Sequence, residues 1–288
     1  MNVLITGASG FIGSSITQTL LDAGHTVRRA VRTPKQPSDV AVQFERDIAP
    51  ADWLARLDGI DAVVNAVGLL GGSESAMMAV HRDTPTALAA ACAQRGIKRF
   101  VQMSALGVDS GLATRYFRSK LAGEQAVRAA LPGAHIVRPS LVFGHGGASS
   151  KMFMQLTRLP MLMLPKAGRL TVQPVHVHDV CAAVAALLNA DPAGDAMTLD
   201  AVGPQAMNMA DYLASLAAQL GRRAPYILPM PAFVASSSAQ LMQHLPQTVW
   251  TPETLAMLVA GSSADPAGMA ALLGRSALAV DQFVAYGR

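Results

Sequence analysis

Tyr116 and Lys120 stand four residues apart in the run Tyr116-Phe117-Arg118-Ser119-Lys120. On a helix that spacing puts both side chains on one face. A phenol with a pKa of about 10 is a sluggish acid or base at neutral pH. An ammonium beside it lowers that pKa and brings proton transfer within reach. Ser104 precedes the pair and closes a strand-like run, Lys98 to Ser104. A hydroxyl at that point can hold the oxygen of a reacting group. Such a pair also arises by chance on surface helices, so its meaning depends on the elements that position it.

The first positioning element is the opening stretch, Val3-Leu4-Ile5-Thr6-Gly7-Ala8-Ser9-Gly10-Phe11-Ile12-Gly13. Val3 to Ile5 suit a buried parallel strand. Apolar residues at helical spacing follow from Phe11, and Gly24 closes the helix. Each of the three glycines has its own task. Gly7 allows the turn out of the strand, Gly10 leaves room for a pyrophosphate, and Gly13 lets helix and strand pack closely. Gly7, Ser9, Gly10, Phe11 and Ile12 are therefore expected to cradle phosphates at a helix N-terminus.

His25 to Val31 reads as the second strand. Its end lacks the acid that would bind a ribose 2′-hydroxyl, for no Asp or Glu lies between Asp22 and Asp39. Arg28, Arg29, Arg32 and Lys35 stand there instead. A guanidinium can bind a 2′-phosphate bidentately, so NADP(H) is favoured, with NAD(H) as the alternative. Arg32 falls just past the strand and is the first choice; Arg28 or Arg29 should be a solvated surface charge. Further strands are expected at Val40 to Phe44, Asp61 to Asn65, Lys98 to Ser104 and Ala134 to Arg138. Helices are expected at Ala51 to Leu57 and Ser75 to Arg95. This alternation predicts an α/β chain with a Rossmann-type doubly wound parallel sheet.

The glycine spacing, the Tyr-x-x-x-Lys pair and Ser104, in this order, resemble the short-chain dehydrogenase/reductase superfamily, in its extended and atypical branch of epimerase/dehydratase-like proteins. Within it, Val64-Asn65-Ala66-Val67-Gly68, Gln102 to Gly107 and Gln173-Pro174-Val175-His176 are similar to bacterial relatives of the NADPH-binding accessory subunit of respiratory complex I. The resemblance covers residues 2 to 190 and fades beyond. It implies Tyr116 as catalytic acid/base, Lys120 as its electrostatic partner and ribose ligand, and Ser104 as the carbonyl anchor. It also implies that Asp47, with Ile48, lies beside the adenine, that Ala66, Val67 and Gly68 line the cofactor groove, and that backbone after Pro139 approaches the nicotinamide. Two departures stand out. Met103 occupies a position where the family often has Ser or Thr, and His81 falls where many members have Asn. His81 is either a polar relay or an ordinary helix-surface histidine. Arg138 fits a structural ion pair.

The 288 residues are 51% apolar and 15% charged, enough for a sizeable core. A net charge of +4 without a long basic run gives no reason to expect nucleic acid as a partner. Cys92 and Cys181 sit in apolar helical stretches and read as buried hydrophobes in a reducing, cytoplasmic setting. A strand starting at residue 2 leaves no room for a signal peptide, and no apolar run is long enough to span a membrane. His176 and His178 lack a third ligand at clear spacing, so no metal site is expected. Asp179 is the expected N-cap of a helix, Val180 to Asn189.

A boundary is expected at 190. The first domain (1–190) binds nucleotide, and a small, mainly helical lobe (191–288), partly intertwined with it, covers substrate. In that lobe Asp191 to Asp195 read as a turn and Met197 to Leu199 as a short strand. Helices are expected over Met207 to Leu220, Ala232 to Leu245 and Pro252 to Val259, with a linker at Pro225 to Pro231. Its methionines serve either core packing or an adaptable apolar surface, meaning a lipophilic substrate pocket, a peripheral membrane patch or a partner face. Three functions fit: an NADP(H)-dependent oxidoreductase acting on a small carbonyl or alcohol, an NADPH-binding regulatory or assembly protein without turnover, and a sugar-nucleotide epimerase or dehydratase. Arg32 argues against the third, whose members retain NAD. The oligomeric state is not legible.

Overall fold

The computed structural model describes residues 1–192, 194–243 and 250–286. The first elements are β1 (Asn2–Thr6), α1 (Phe11–Asp22), β2 (Thr26–Val31), β3 (Val40–Ala41), α2 (Ala51–Leu54) and β4 (Ala62–Asn65). Then come α3 (Glu74–Met78), α4 (Thr84–Arg95), β5 (Arg99–Met103), α5 (Arg115–Ala130) and β6 (His135–Pro139). Among the described residues these strands and β11 (Thr198–Ala201) form a seven-stranded sheet ordered β11-β6-β5-β4-β1-β2-β3. From β6 to β3 every neighbouring pair is parallel. This is the Rossmann-type arrangement that the sequence predicts. Strand order reverses between β1 and β4, and such a switch point opens a crevice at the carboxyl ends of the strands. The central strands β1, β4 and β5 are buried almost throughout, as apolar parallel strands must be.

Two compact units emerge. The first comprises Met1–Arg138 and Val180–Leu199, the second Pro139–Asp179 and Asp200–Arg288. A single cut at 190 therefore does not separate them. The stretch from 139 to 179 is tied to later segments by pairing that local sequence does not announce. In the second unit β7 (Val142–Phe143) pairs with β10 (Val175–His176), and β9 (Thr171–Val172) with β12 (Met207–Asn208). β8 (Met161–Pro165) pairs in parallel with β13 (Tyr226–Met230). The expected linker at Pro225 to Pro231 is thus largely a strand. Helix α6 (Ala148–Leu156) packs Phe153 against Tyr212 of α8 (Met209–Gln219). Helices α9 (Ala232–Met242), α10 (Pro252–Ala260) and α11 (Ala267–Leu273) complete the unit. The expected end of α9 at Leu245, and Ala193 of the expected turn, lie outside the described residues.

The helix predicted over 75–95 is interrupted. Ala79–Asp83 forms a π-helical turn in which Thr84 N donates to Ala79 O. Pro85 is the local cause: it lacks the N–H that would bond the His81 carbonyl four residues back. The freed carbonyl lies against α5, where a side chain at Gly123 would collide with it.

Helix α7 (Val177–Asn189) begins ahead of Asp179, so Asp179 is not its N-cap. The His176 ring accepts the His178 N–H at 3.2 Å instead. The Asp179 carboxylate is wholly buried, takes Arg275 Nη2 at 2.6 Å and accepts Leu278 N at 2.8 Å. It anchors the chain after α11. Asp179→Ala removes both acceptor oxygens, and the midpoint of urea unfolding should shift by an amount equivalent to about 3 kcal/mol. An unchanged midpoint would show that the anchor carries no stability.

Candidate nucleotide-binding and catalytic site

The carboxyl edge of the sheet in the first unit holds a cleft of ≈ 520 Å³. It is lined by Gly7, Ser9, Gly10 and Arg32, by Val42 to Arg46, by Ala66 to Leu69, and by Val80. The turn after β1 can run here because Gly7 has φ +68° and because a Cβ on it would come within 2.7 Å of the Ala66–Val67 backbone. Gly10 is the N-cap of α1, and the first intrahelical bond is Ser14 N to Gly10 O at 2.8 Å. The N–H groups of Phe11 and Ile12 precede that bond and are open to an anion. A buried polar ladder supports the floor: Thr6 Oγ1 donates to Asn65 Oδ1, and Asn65 Nδ2 donates to Gln102 Oε1 at 2.8 Å.

The arginines sort themselves by partner. Arg28 donates to the carbonyls of Arg56 and Asp58, and Arg29 forms a bidentate pair with Asp39 at 2.8 Å. Neither is a loose surface charge. That pairing holds the Asp39 carboxyl down at about 2. Arg32 lines the cleft and has no ion pair among the described residues. Arg46 lines it too and went unnoticed in the sequence, as did Gln43, Phe44 and Glu45. The reason is that β3 ends at Ala41, so residues expected in a strand form the cleft wall. Asp47 and Ile48 do not line the cleft. The Asp47 carboxylate accepts Gln43 N and pairs with Arg56 at 2.7 Å, and Ile48 is exposed. Pro139 belongs to the second unit.

Helix α5 is capped by Thr114, whose side chain accepts from Phe117 N. It carries Tyr116 half-buried and Lys120 buried. Lys120 Nζ donates to Val67 O at 3.3 Å and Met103 O at 3.1 Å, gripping the ends of β4 and β5. An ammonium has three donors, and these two carbonyls take two of them. Burial lowers the Lys120 pKa to about 8, with Glu124 opposing the shift. Glu124, one turn on, is itself held by Arg138 in a fork at 2.9 and 2.7 Å. Arg138 is therefore the ion-pair residue that the sequence allowed. Ser104 is buried next to Met103, and its Oγ has no hydrogen-bond partner among the described residues. Burial pushes the Tyr116 phenol up to about 12. The expected lowering by Lys120 is not what acts on this phenol; burial is.

His81 is buried, not on the helix surface. Nε2 accepts Leu69 N at 2.9 Å, so the proton sits on Nδ1, which faces Ser119 Oγ at 2.8 Å. Ser119 in turn donates to the Tyr116 carbonyl at 2.9 Å. The imidazole edge also meets the Tyr116 ring, with centroids 5.6 Å apart. His81 thereby links the cleft loop to the helix that carries Tyr116. Cys92 and Cys181 are buried, and burial pushes both thiols up to about 12. Among the described residues, no three His, Cys, Asp or Glu gather to hold a metal ion, and no helix is long and apolar enough to cross a membrane.

This sheet and cleft define a dinucleotide-binding fold of the short-chain dehydrogenase kind. Residues 3–200 match the family model of the NAD dependent epimerase/dehydratase family, and the chain belongs to that family. It is 34% identical over 192 residues to the ceramide reductase of Caulobacter vibrioides, covering 64% of this chain and 60% of the relative. It is 30% identical over 252 residues to the mitochondrial NADH dehydrogenase [ubiquinone] 1 alpha subcomplex subunit 9 of Arabidopsis thaliana, covering 82% of this chain and 61% of that one. The chain thus spans about 60% of the length of these curated relatives. In fold it is similar to the crystal structure of human epimerase family protein SDR39U1 (isoform2) with NADPH. That match has a TM-score of 0.77 and 22% identity, over 99% of this chain and 100% of the other.

Two pH responses follow. Burial, and then Lys120, hold the His81 pKa down at about 3. Its ring signals in NMR should stay those of neutral imidazole from pH 8 to pH 5; a midpoint near 6.5 would overturn the burial argument. Lys120 has a lowered pKa of about 8, so part of it is neutral just above that pH. A nucleotide anion favours the charged form and raises that pKa, so binding should take up protons between the free and bound values. Calorimetry above pH 8, in buffers of different ionisation enthalpy, should register uptake; proton release would reverse the sign.

Proposed function

We propose that the chain is an NADP(H)-dependent oxidoreductase that interconverts a carbonyl and an alcohol. One observation carries the reading: Ser104 presents a buried, unpartnered hydroxyl beside the backbone carbonyl gripped by Lys120, on the helix that also bears Tyr116. A buried hydroxyl without a partner costs stability unless a ligand completes it, and a substrate carbonyl oxygen accepts such a bond.

The cleft suits a dinucleotide phosphate. Gly10 and the first turn of α1 offer N–H groups to the pyrophosphate, and Arg32 with Arg46 offers guanidiniums to a 2′-phosphate. A bound nicotinamide supplies the hydride in reduction and accepts it in oxidation. Ser104 Oγ–H then donates to the substrate oxygen and orients it. Tyr116 Oη–H delivers the proton to that oxygen as negative charge develops. Burial keeps the phenol protonated at neutral pH, so the proton that reduction needs is in place, and the charged Lys120 must ease its release. Lys120 in its charged form stabilises the phenolate left behind, and its spare donor holds the ribose.

The same high phenol pKa favours a second reading, an NADPH-binding protein whose nucleotide is structural. A phenol so reluctant to ionise is a poor base for alcohol oxidation. Similarity to a subunit named for a respiratory dehydrogenase supports that alternative, along with association in a larger complex.

Calorimetry with NADPH and NADH tests the proposal. NADPH should bind on the order of 10- to 100-fold more tightly, the worth of a charge-assisted pair to the 2′-phosphate. Arg32→Ala should erase that margin. Tyr116→Phe should bind NADPH normally but lose on the order of 100-fold in turnover of any carbonyl substrate found by screening. Equal affinities for the two nucleotides would sink the phosphate argument. Tight NADPH binding without exchange or turnover would leave the structural-nucleotide reading.

A further inference from the structure

We propose that the β8–β13 ribbon of the second unit is a docking surface for an anionic lipid bilayer. Register and burial give the first half of the case. Met161 pairs with Tyr226, Leu162 with Ile227, and Met163 with Leu228. Paired residues share a face, and successive residues alternate faces. Leu162 and Ile227 turn inward to the apolar core of the unit. The exposed side of the ribbon carries Met161, Met163 and Tyr226, with Leu228 half-buried beside them. Met161, Met163 and Tyr226 are 53%, 44% and 69% exposed. A ribbon whose outer face met only water would alternate to polar residues there.

Charge gives the second half. Both strands leave from the same basic end. Arg158 precedes Leu159-Pro160-Met161, and Arg222-Arg223 precede Ala224-Pro225-Tyr226. These three arginines line a surface cleft of ≈ 530 Å³ together with Thr157, Leu159, Pro160 and Ala224, and no carboxylate is among its lining residues. Arg222 is fixed by donating to Met154 O at 2.9 Å and Thr157 Oγ1 at 2.8 Å. Arg158 and Arg223 are exposed and have no ion pair among the described residues.

An anionic bilayer matches both features at once. Its phosphates lie within about 5–10 Å of its acyl chains, so guanidiniums can meet headgroups while neighbouring apolar side chains enter the boundary. Tyrosine and methionine suit that depth, the first through its polar tip and the second through its flexibility. Phe233, just past β13 and 71% exposed, extends the apolar surface along the chain. A purely acidic partner would leave the methionines unmatched, and a purely apolar one would bury the arginines without anions.

Co-sedimentation of the whole chain with vesicles decides the matter. Wild type should pellet with mixed phosphatidylcholine–phosphatidylglycerol vesicles, should release as salt is raised, and should stay in solution with phosphatidylcholine alone. Arg158→Glu/Arg223→Glu and Met161→Ser/Tyr226→Ser should each weaken the partition by on the order of tenfold or more, with circular dichroism unchanged. No pelleting of the wild type, or pelleting that both double variants retain, would overturn the proposal. So would self-association in sedimentation velocity that Met161→Ser/Tyr226→Ser abolishes, since the face would then belong to a second copy. None of these readouts depends on nucleotide binding or turnover.

Discussion

A buried ammonium fixes the geometry of the first unit's site. Lys120 lies out of solvent with two backbone carbonyls as acceptors, one after β4 and one at the end of β5. Burying a charge is tolerable only where acceptors are in place, so α5 must sit where its Nζ reaches both strand ends. That requirement fixes where α5, and with it Tyr116, lies against the ends of β4 and β5. Burial pulls the Lys120 pKa down, while the adjacent Glu124 opposes the change. Arg138 neutralises Glu124 in turn, so the chain of charge runs from β6 through α5 to the strand ends.

The other face of α5 is set by a defect in the preceding helix. Pro85 cannot bond the His81 carbonyl, and the π-helical turn at Ala79–Asp83 takes up the mismatch. Gly123 lets α5 close against that carbonyl, which a larger residue would block. The same turn aims the His81 ring between the Leu69 backbone and Ser119. A neutral imidazole thus joins the loop at the cleft to the turn bearing Tyr116. Desolvation favours the neutral form of that ring, the form in which Nε2 can accept the Leu69 N–H. The pattern is a familiar one in which an irregular turn, costly in isolation, persists where it serves to place functional groups.

The second unit is held by longer-range ties. Asp179 is buried between Arg275 and the Leu278 backbone, so the start of α7 and the segment after α11 fold as one. Methionine serves two purposes here. Met209 and Met269 are core residues, whereas Met161 and Met163 are on the surface. Composition alone supported both readings of this residue type, and side-chain direction on one short ribbon separates them.

The sequence by itself determined the parallel sheet, the glycine turn, the placement of Tyr116 and Lys120 on one helix, and Arg32 beside the glycine turn in the lining of the cleft. Each follows from short-range rules: alternation of apolar strands and helices, glycine where backbone must approach backbone, and four-residue spacing on a helix. The tertiary structure alone decided which carboxylates were already spoken for. Asp47 is engaged by Arg56, and Asp179 by Arg275 in place of a helix cap. It also decided the early end of β3, the strand hidden in the Pro-rich stretch before α9, and which segments the two units exchange. Those features depend on partners tens of residues away, and pairing at that range leaves no periodic mark on the chain. The interruption at His81 was the intermediate case: Pro85 was a local signal for it, but only the packing of Gly123 showed why a break belonged there.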